Sequence, residues 1–180
     1  MSRWLKSSVV IIVVMFMGLD LPRPEYATKA NNGKDISDYA PPQPTKLAGC
    51  VINVDLQDRD CTPGAVMADV TVEQLCTLGY AKSVRDVTAQ TKREVYDAYG
   101  IDYHSKGEYQ VDHLISLELG GSNDIANLWP QPASPLPGYR EKDRFENYLH
   151  DQICVGKLKL AKAQEDLATN WALAYKRAGL

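Results

Sequence analysis

The sequence has no apolar run of membrane-spanning length, no excess of positive charge and no Cys-x-x-Cys pair. Its longest apolar stretch, within "SSVVIIVVMFMGL" at residues 7–19, holds about a dozen residues, whereas a membrane-spanning helix needs ~20. Paired Cys-x-x-Cys motifs are typical of structural zinc sites, so zinc is the weaker interpretation of the dispersed cysteines. We find no internal repeat. The 180 residues are enough for one compact domain plus a tail or leader.

The charge balance argues against a protein that grips nucleic acid through bulk positive charge. The whole chain has 20 basic and 23 acidic residues. Four of the basic and two of the acidic residues lie in the first 30 positions, so the rest of the chain has 16 basic and 21 acidic residues and a net charge of −5. This balance disfavours nonspecific electrostatic binding. It is compatible with an enzyme that has a local basic groove and a metal ion.

The first 30 residues have the pattern of an export signal. Arg3 and Lys6 precede the short apolar run, as in secretory leaders. We predict an export signal peptide at 1–30, or a signal anchor if it is retained, and an exported protein in the periplasm or outside the cell. Polar, Pro- and Gly-containing sequence predicts a flexible linker at 31–60, followed by the folded domain at 61–180. Once the leader is cleaved, we expect no stable membrane span.

Four cysteines follow the leader, and an even number in an exported chain predicts two disulfides. Three pairings are possible. We favour a bond between Cys50 and Cys61, which are near neighbours in the chain. The other bond would then join Cys76 to Cys154, each of which lies near the end of a predicted helix.

Helical and extended patterns succeed one another in the order helices, hairpin, helices, which indicates an α+β fold. The predicted helix at 139–154 carries an apolar stripe of Phe145, Leu149 and Ile153, with polar side chains roughly opposite. Leu160, Leu167 and Trp171 give the last helix its apolar face. The predicted elements are a short helix from Thr71 that ends before Gly79, an extended segment at 81–88, a helix at 88–100 closed by Gly100, a hairpin that turns at Gly120–Gly121 with its second extended run at 125–129 ending at Pro130, and helices at 139–154 and 159–180.

The segment "YQVDHLISLELGGSNDIANLWPQP", residues 109–132, places polar, reactive side chains at the end of an apolar run. The neutral imidazole of His113 can accept a proton from water near pH 7, and the carboxylate of Asp112 can hold a divalent cation. Adjacent strand side chains point to opposite sides, so a strand end or bend is needed to aim both at one phosphate. The turn at Gly120–Gly121 could bring Asn127 beside His113, where its amide would fix the imidazole. These parts predict activation of water against a phosphodiester.

The same segment resembles the core of the HNH, or His-Me finger, endonucleases, in an exported bacterial branch of that family. The family signature is Asp-His on a first strand, a Gly-Gly-x-Asn turn, Asn-Leu on a second strand, and then a metal-binding helix. The resemblance continues through "CTPGAV", "YG", "KDRFENYLH" and the "AQ…W" tail, over roughly residues 61–175. It implies a ββα-metal finger, a β-hairpin plus a helix, embedded in flanking helices and stabilised by disulfides.

The resemblance implies catalytic roles for three residues of the segment. His113 would be the general base, Asp112 a metal ligand, and Asn127 the residue that holds the loop and orients the base. One divalent cation is implied, Mg²⁺ first, with Mn²⁺ or Ca²⁺ as alternatives.

The resemblance is incomplete in the predicted helix at 139–154. The metal ligand that the family carries on its helix has no clear equivalent there. Arg140 and Arg144, at its start, are predicted to contact substrate phosphates. The metal ligands predicted on this helix are Asp143 and Glu146. Asn147 and His150 are the second-choice candidates.

Together these observations predict an exported, metal-dependent endonuclease that hydrolyses phosphodiester bonds of DNA, or also of RNA. We expect low sequence specificity because no sequence-recognition module is attached. Two alternatives stay open. The first is a catalytically silent HNH-like module that binds or associates with the cell envelope, and the second is a metal-dependent hydrolase of other esters or peptides. The sequence identifies no protein partner.

Overall fold

The computed structural model describes residues 39–180, and in this range a two-stranded hairpin lies among five helices. The predicted leader and the start of the predicted linker lie outside the described residues. No helix between residues 39 and 180 is long and apolar enough to cross a membrane. The elements are α1 (Val72–Leu75), α2 (Tyr80–Val84), α3 (Ala89–Ala98), β1 (Tyr109–His113), two short 3₁₀ turns (Leu117–Leu119 and Ile125–Asn127), β2 (Leu128–Pro132), α4 (Tyr139–Cys154) and α5 (Leu160–Ala178).

The predicted starts of two helices are confirmed, and each of these helices begins with a side-chain cap. Thr71 and Gln74 form a reciprocal capping box at the start of α1, with backbone-to-side-chain distances of 2.8 and 3.3 Å. The Thr88 hydroxyl accepts the Thr91 N–H at the start of α3. That helix is followed by Gly100 in the left-handed region at φ +65°, which confirms the predicted stop.

Two segments predicted to be extended are partly helical. Tyr80–Val84 forms α2, because Gly79 takes a left-handed conformation and opens a new turn, and only from Arg85 is the backbone extended. The predicted run at 125–129 begins with the 3₁₀ turn Ile125–Asn127, whose first free N–H is accepted by the side chain of Asp124. Strand β2 therefore starts later than the sequence pattern predicts.

The hairpin and the last two helices enclose the hydrophobic core. β1 and β2 are antiparallel, with Asp112 opposite Trp129 and His113 opposite Leu128. The apolar stripe of α4 is buried as predicted, and so is the apolar face of α5. These features confirm the α+β class. The core contains Leu114, Ile115, Trp129, Phe145, Leu149, Ile153, Leu167 and Trp171.

Both favoured disulfides are present, Cys50–Cys61 and Cys76–Cys154. The first closes a loop between cysteines 11 positions apart. The second links partners 78 positions apart and joins the end of α1 to the last residue of α4. A crosslink across so long a segment removes much of the conformational freedom of the unfolded chain.

The described part of the predicted 31–60 linker is packed against the domain, which corrects that prediction. The Cys50 N–H donates to the carbonyl of Ala98 at 2.9 Å, and the N–H groups of Thr45 and Lys46 reach the Asp60 carbonyl. The Gln57 amide is buried and donates to the carbonyl of Ala168 on α5. Composition alone suggested mobility, but the disulfide and these hydrogen bonds fix the segment.

Candidate functional site

Asp112 and His113 lie at the end of β1, and their side chains point in opposite directions, as neighbouring side chains on a strand do. The Asp112 carboxylate turns towards α4, where its Oδ2 accepts a hydrogen bond from Lys142 at 2.7 Å. The His113 imidazole turns towards the loop between the strands, where Nε2 lies 3.1 Å from Oδ1 of Asn123. Both residues are nearly buried, with exposed fractions of 8% and 3%.

The contacts of Asn123 determine which nitrogen of His113 carries the hydrogen. The Asn123 amide Nδ2 donates to the carbonyl of Val84 at 2.7 Å, and Oδ1 accepts the N–H of Asp86 at 3.2 Å. This pair of bonds fixes the orientation of the amide, so the atom facing the imidazole is the oxygen. Since an oxygen acceptor needs a donor, Nε2 carries the hydrogen and Nδ1 holds the basic lone pair.

The surroundings of His113 keep its imidazole neutral at neutral pH. Burial lowers the pKa of His113 below its usual value near 6.5. The hydrogen bond with Asn123 and the charge of Asp112 offset part of that lowering, while the charges of Arg85 and Lys142 add to it. A neutral imidazole with a basic nitrogen is the form that can take a proton from water.

In metal-free protein, we expect the His113 ring to titrate below about pH 6.5. Because the unfolded chain then binds this proton more readily, the stability contributed by His113 is present above that pH and is lost as pH falls through the lowered pKa. Asn123→Ala should lower the pKa further, since it removes an acceptor that favours the protonated ring. Titration of the ring proton signals by NMR, with His113→Gln to assign the resonance, measures both values. A midpoint above 6.5 would contradict the electrostatic account.

Lys142 connects β1 to α4 from a fully buried position. Its ammonium group donates to Asp112 Oδ2, to the His113 carbonyl (also at 2.7 Å) and to Glu146 Oε1, so all three of its hydrogens are used. Burial alone would lower the pKa of Lys142, but the two carboxylates raise it above its usual range and keep the side chain charged. Burial also raises the pKa of Glu146, against the opposing effect of Lys142.

Two of the three predicted metal ligands suit a cation site, and the third does not. Oδ1 of Asp112 lies a long 3.4 Å from Nε2 of Gln110, so it is still able to bind a cation. Asp143 is half-buried, and burial together with the charge of Asp112 raises its pKa, so a cation beside the two would be stabilised. Glu146 instead points into the buried ion pair with Lys142. The prediction that Glu146 is a metal ligand is therefore corrected.

The other two helix candidates lie elsewhere. Asn147 is exposed, and its amide donates to the backbone carbonyl of Asp143. His150 sits beside the second disulfide, with Nε2 3.1 Å from the Leu75 carbonyl. Among residues 39–180, the one group of three candidate ligand atoms lying close together is Cys76, His150 and Cys154, and both sulfurs there are bonded to each other.

Asn127 holds the loop between the strands but does not contact the imidazole through any hydrogen bond of its side chain. It is fully buried, its Oδ1 accepts the N–H of Ile115, and its Nδ2 donates to the carbonyls of Ile115 and Ser122, all within 2.9 Å. The same loop requires glycine at Gly121, since a Cβ there would lie 1.7 Å from the Ile115 carbonyl oxygen. The prediction that the Asn127 amide fixes the imidazole is therefore corrected, because Asn123 makes that contact.

The two arginines predicted to contact phosphates lie on the outer surface of α4. Arg144 pairs with Glu141 at 2.9 Å. The hydrogen bonds with Glu141 and with Tyr175 of α5 raise the pKa of Arg144. The guanidinium of Arg140 lies 5.0 Å from the centre of the Tyr139 ring.

The sequence analysis missed Asn123, and it grouped Lys142 with the surface arginines of the helix start, whereas Lys142 is fully buried; each residue left a signal. Lys142 falls on the apolar stripe of α4, three positions before Phe145 and seven before Leu149, where a charged residue needs buried partners. Asn123 directly follows the Gly120–Gly121–Ser122 turn, at the point where the chain passes the imidazole.

Comparison with family models, curated proteins and solved structures gives no match to this chain. The chemistry of the site must therefore be argued from its own residues.

Proposed function

We propose that this chain is a metal-dependent endonuclease in which β1, β2 and α4 form a ββα-metal finger. The observation that carries the proposal is the neutral His113 imidazole, held at Nε2 by Asn123 and adjacent in the chain to Asp112. A neutral base within electrostatic reach of a carboxylate that suits a cation is a combination that can hydrolyse a phosphodiester.

In this proposal, His113 acts as the general base. Nδ1 takes a proton from the attacking water while Nε2 keeps its hydrogen bond to Asn123, which holds the ring in one orientation. Lys142 positions the carboxylate of Asp112 and, through the His113 carbonyl, the backbone of the base itself. Asn127 keeps the connecting loop in the shape that places Asn123 against the ring.

Asp112 and Asp143 would hold one divalent cation, with Mg²⁺ as the first choice and Mn²⁺ or Ca²⁺ as alternatives. These hard cations prefer carboxylate oxygens, and Oδ1 of Asp112 and the raised pKa of Asp143 fit that preference. When bound, such an ion supplies positive charge that stabilises the leaving oxygen of the phosphodiester.

The proposed substrate is DNA, or also RNA, cut with low sequence specificity outside the cytoplasm. Arg140 and Arg144 would contact phosphates that flank the cleaved bond. The formal charge of −5 over residues 31–180 implies that such contacts are local.

Supercoiled plasmid incubated with the purified protein should be nicked and then linearised in Mg²⁺. EDTA should abolish the cleavage, and added Mg²⁺ in excess should restore it, because carboxylate ligands bind the ion reversibly. Gel electrophoresis of the plasmid forms measures the result, and protein carrying His113→Gln serves as the control for contaminating nuclease. Absence of cleavage in Mg²⁺, Mn²⁺ and Ca²⁺ alike would refute the proposal.

That negative outcome would support a second candidate, a catalytically silent finger used as a binding or envelope-associated module. The observation in its favour is that His113 is only 3% exposed and that Lys142 already offsets the charge of Asp112. The plasmid assay distinguishes the two candidates directly.

A further inference from the structure

The second disulfide has a histidine beside it, so three side chains that can bind a metal meet between α1 and α4. Cys76 directly follows α1, Cys154 is the last residue of α4, and His150 lies one turn earlier on that helix. One ligand atom of each residue lies within 4.8 Å of the other two. Residues four apart on a helix share a face, so His150 and Cys154 both face Cys76.

The spacing of these atoms is that of a tetrahedral zinc site, apart from the bond between the two sulfurs. Nε2 of His150 lies 3.5 Å from Sγ of Cys154. Zinc bonds of ~2.3 Å to sulfur and ~2.0 Å to nitrogen, at a tetrahedral angle, place two such atoms about 3.5 Å apart. The same geometry places two sulfurs about 3.8 Å apart, so the site forms only when the disulfide is broken. The Cα atoms of the two cysteines lie 5.7 Å apart, which lets rotation of the side chains separate the sulfurs.

The two ring nitrogens of His150 have different neighbours. Nε2 lies 3.1 Å from the carbonyl oxygen of Leu75, to which it donates its hydrogen in the disulfide form. Nδ1 lies 4.0 Å from Oδ1 of Asp151. A metal on Nε2 needs the hydrogen on Nδ1 instead, and a carboxylate beside Nδ1 stabilises that form of the ring. The imidazole is 25% exposed and Cys154 is exposed, so an ion can enter from solvent.

We propose that the reduced chain binds one Zn²⁺ through Cys76, His150 and Cys154, with a water molecule as the fourth ligand. Thiolates and an imidazole suit Zn²⁺, whereas Mg²⁺ prefers oxygen ligands. This site uses different residues and a different class of metal from the cation site proposed at Asp112. It therefore does not depend on the proposed function.

Reduction opens the zinc site, and oxidation closes it. A dithiol reductant transfers two electrons and two protons to the disulfide, which becomes two thiols while the dithiol becomes a disulfide. Zn²⁺ then displaces the proton of each thiol and bonds to the two thiolates. An oxidising disulfide reverses these steps and releases the ion. The metal thus joins α1 to α4 in the form of the chain that has no crosslink there, as in newly made protein whose cysteines are still reduced.

Titration with Co²⁺ is the direct test, because tetrahedral Co²⁺ bound to thiolates absorbs strongly in the visible and near ultraviolet. The full chain is reduced with excess dithiothreitol, which is then removed in the absence of air. We expect an equimolar amount of Co²⁺ to produce the tetrahedral spectrum, and Zn²⁺ to abolish it by displacing the cobalt. The oxidised protein should give no such spectrum. Tetrahedral Co²⁺ in the oxidised protein, or none in the reduced protein, would overturn the proposal.

The double variant Cys76→Ser with Cys154→Ser shows which pair of thiols binds the ion. It removes both proposed thiolates and keeps Cys50 and Cys61, the other pair of the chain. We expect no tetrahedral spectrum from this variant after reduction. The wild-type spectrum in the double variant would place the ion on the other pair, against the proposal.

His150→Ala tests the imidazole, with His104→Ala as the matched control because His104 lies beside Tyr96 and away from the cysteines. His150→Ala keeps both thiols, and we expect it to weaken Co²⁺ binding at least as much as the ~10–100-fold that follows loss of a group supporting a metal ligand. His104→Ala should bind Co²⁺ as the wild type does. Equal affinities of the two variants would show that His150 is not a ligand.

A stability measurement keeps the proposal testable if reduced protein does not fold without metal. Circular dichroism follows thermal unfolding of the reduced protein with and without Zn²⁺, since an ion that binds only the folded chain raises Tm. We expect Zn²⁺ to raise the Tm of wild type and of His104→Ala, or to restore their helical signal where the metal-free chain is unfolded. The effect on His150→Ala should be smaller. The same response in all three proteins, or no response in any, would contradict the proposed site.

Discussion

His113→Ala should lower metal-dependent nicking of plasmid by ~10²–10⁴, the usual effect of removing a general base. The variant loses the imidazole and its bond to Asn123, but it keeps the backbone carbonyl to which Lys142 donates. We therefore expect the fold to survive. Initial rates of nicking measure the loss, and far-UV circular dichroism shows whether the structure is retained.

His104→Ala is the matched control, because its imidazole stacks near the ring of Tyr96 at a centroid distance of 4.5 Å and plays no part in the site. That variant should nick plasmid at the wild-type rate. Added imidazole should restore part of the activity of His113→Ala by replacing the lost base. If His113→Ala cleaves as fast as His104→Ala, His113 is not the base.

Lys142→Met should destabilise the protein by ~3–5 kcal/mol, the usual result of breaking a buried ion pair from one side. The substitution removes the cation that three groups share and leaves the carboxylates of Asp112 and Glu146 buried without a counter-charge. It also releases the His113 carbonyl. Urea unfolding of the oxidised protein, followed by circular dichroism, gives the change in the free energy of unfolding.

Lys162→Met provides the comparison, since Lys162 also pairs with a carboxylate four positions along its helix but is 45% exposed. An exposed pair of that kind contributes at most ~1 kcal/mol. The double variant Lys142→Met with Glu146→Leu should recover part of the lost stability, because one of the two unpaired carboxylates is then gone. Equal losses for Lys142→Met and Lys162→Met would show that the buried network contributes no more than a surface pair.

Local signals in the sequence were sufficient for much of the fold. The capping box at Thr71 and the stop at Gly100 depend on contacts between near neighbours, so they can be predicted from spacing. The apolar stripe of α4 follows from helical periodicity. The pairing of Cys76 with Cys154 followed from the positions of both residues near helix ends.

The candidate site was only partly predictable, because its contacts join distant elements. Spacing identified Asp112 and His113 as a pair, but it could not show that Asn123 rather than Asn127 meets the imidazole, since this depends on how the loop passes Val84 and Asp86. A polar face drawn on a helical wheel likewise did not separate Asp143 from Glu146. Only the packing of β1 on α4 shows that Glu146, and not Asp143, belongs to the buried ion pair with Lys142.

The sequence positions of the two disulfides also determine the order in which they can form during synthesis of the chain. Cys50 and Cys61 can meet once a short piece of nascent chain has emerged, as only 11 positions separate them. Cys76 must wait for residue 154, by which time both strands of the hairpin and the whole of α4 have been synthesised. A chain that stops short of this residue would keep an unpaired thiol, which could pair with the wrong cysteine, so the longer bond closes only after the hairpin and α4 have been made.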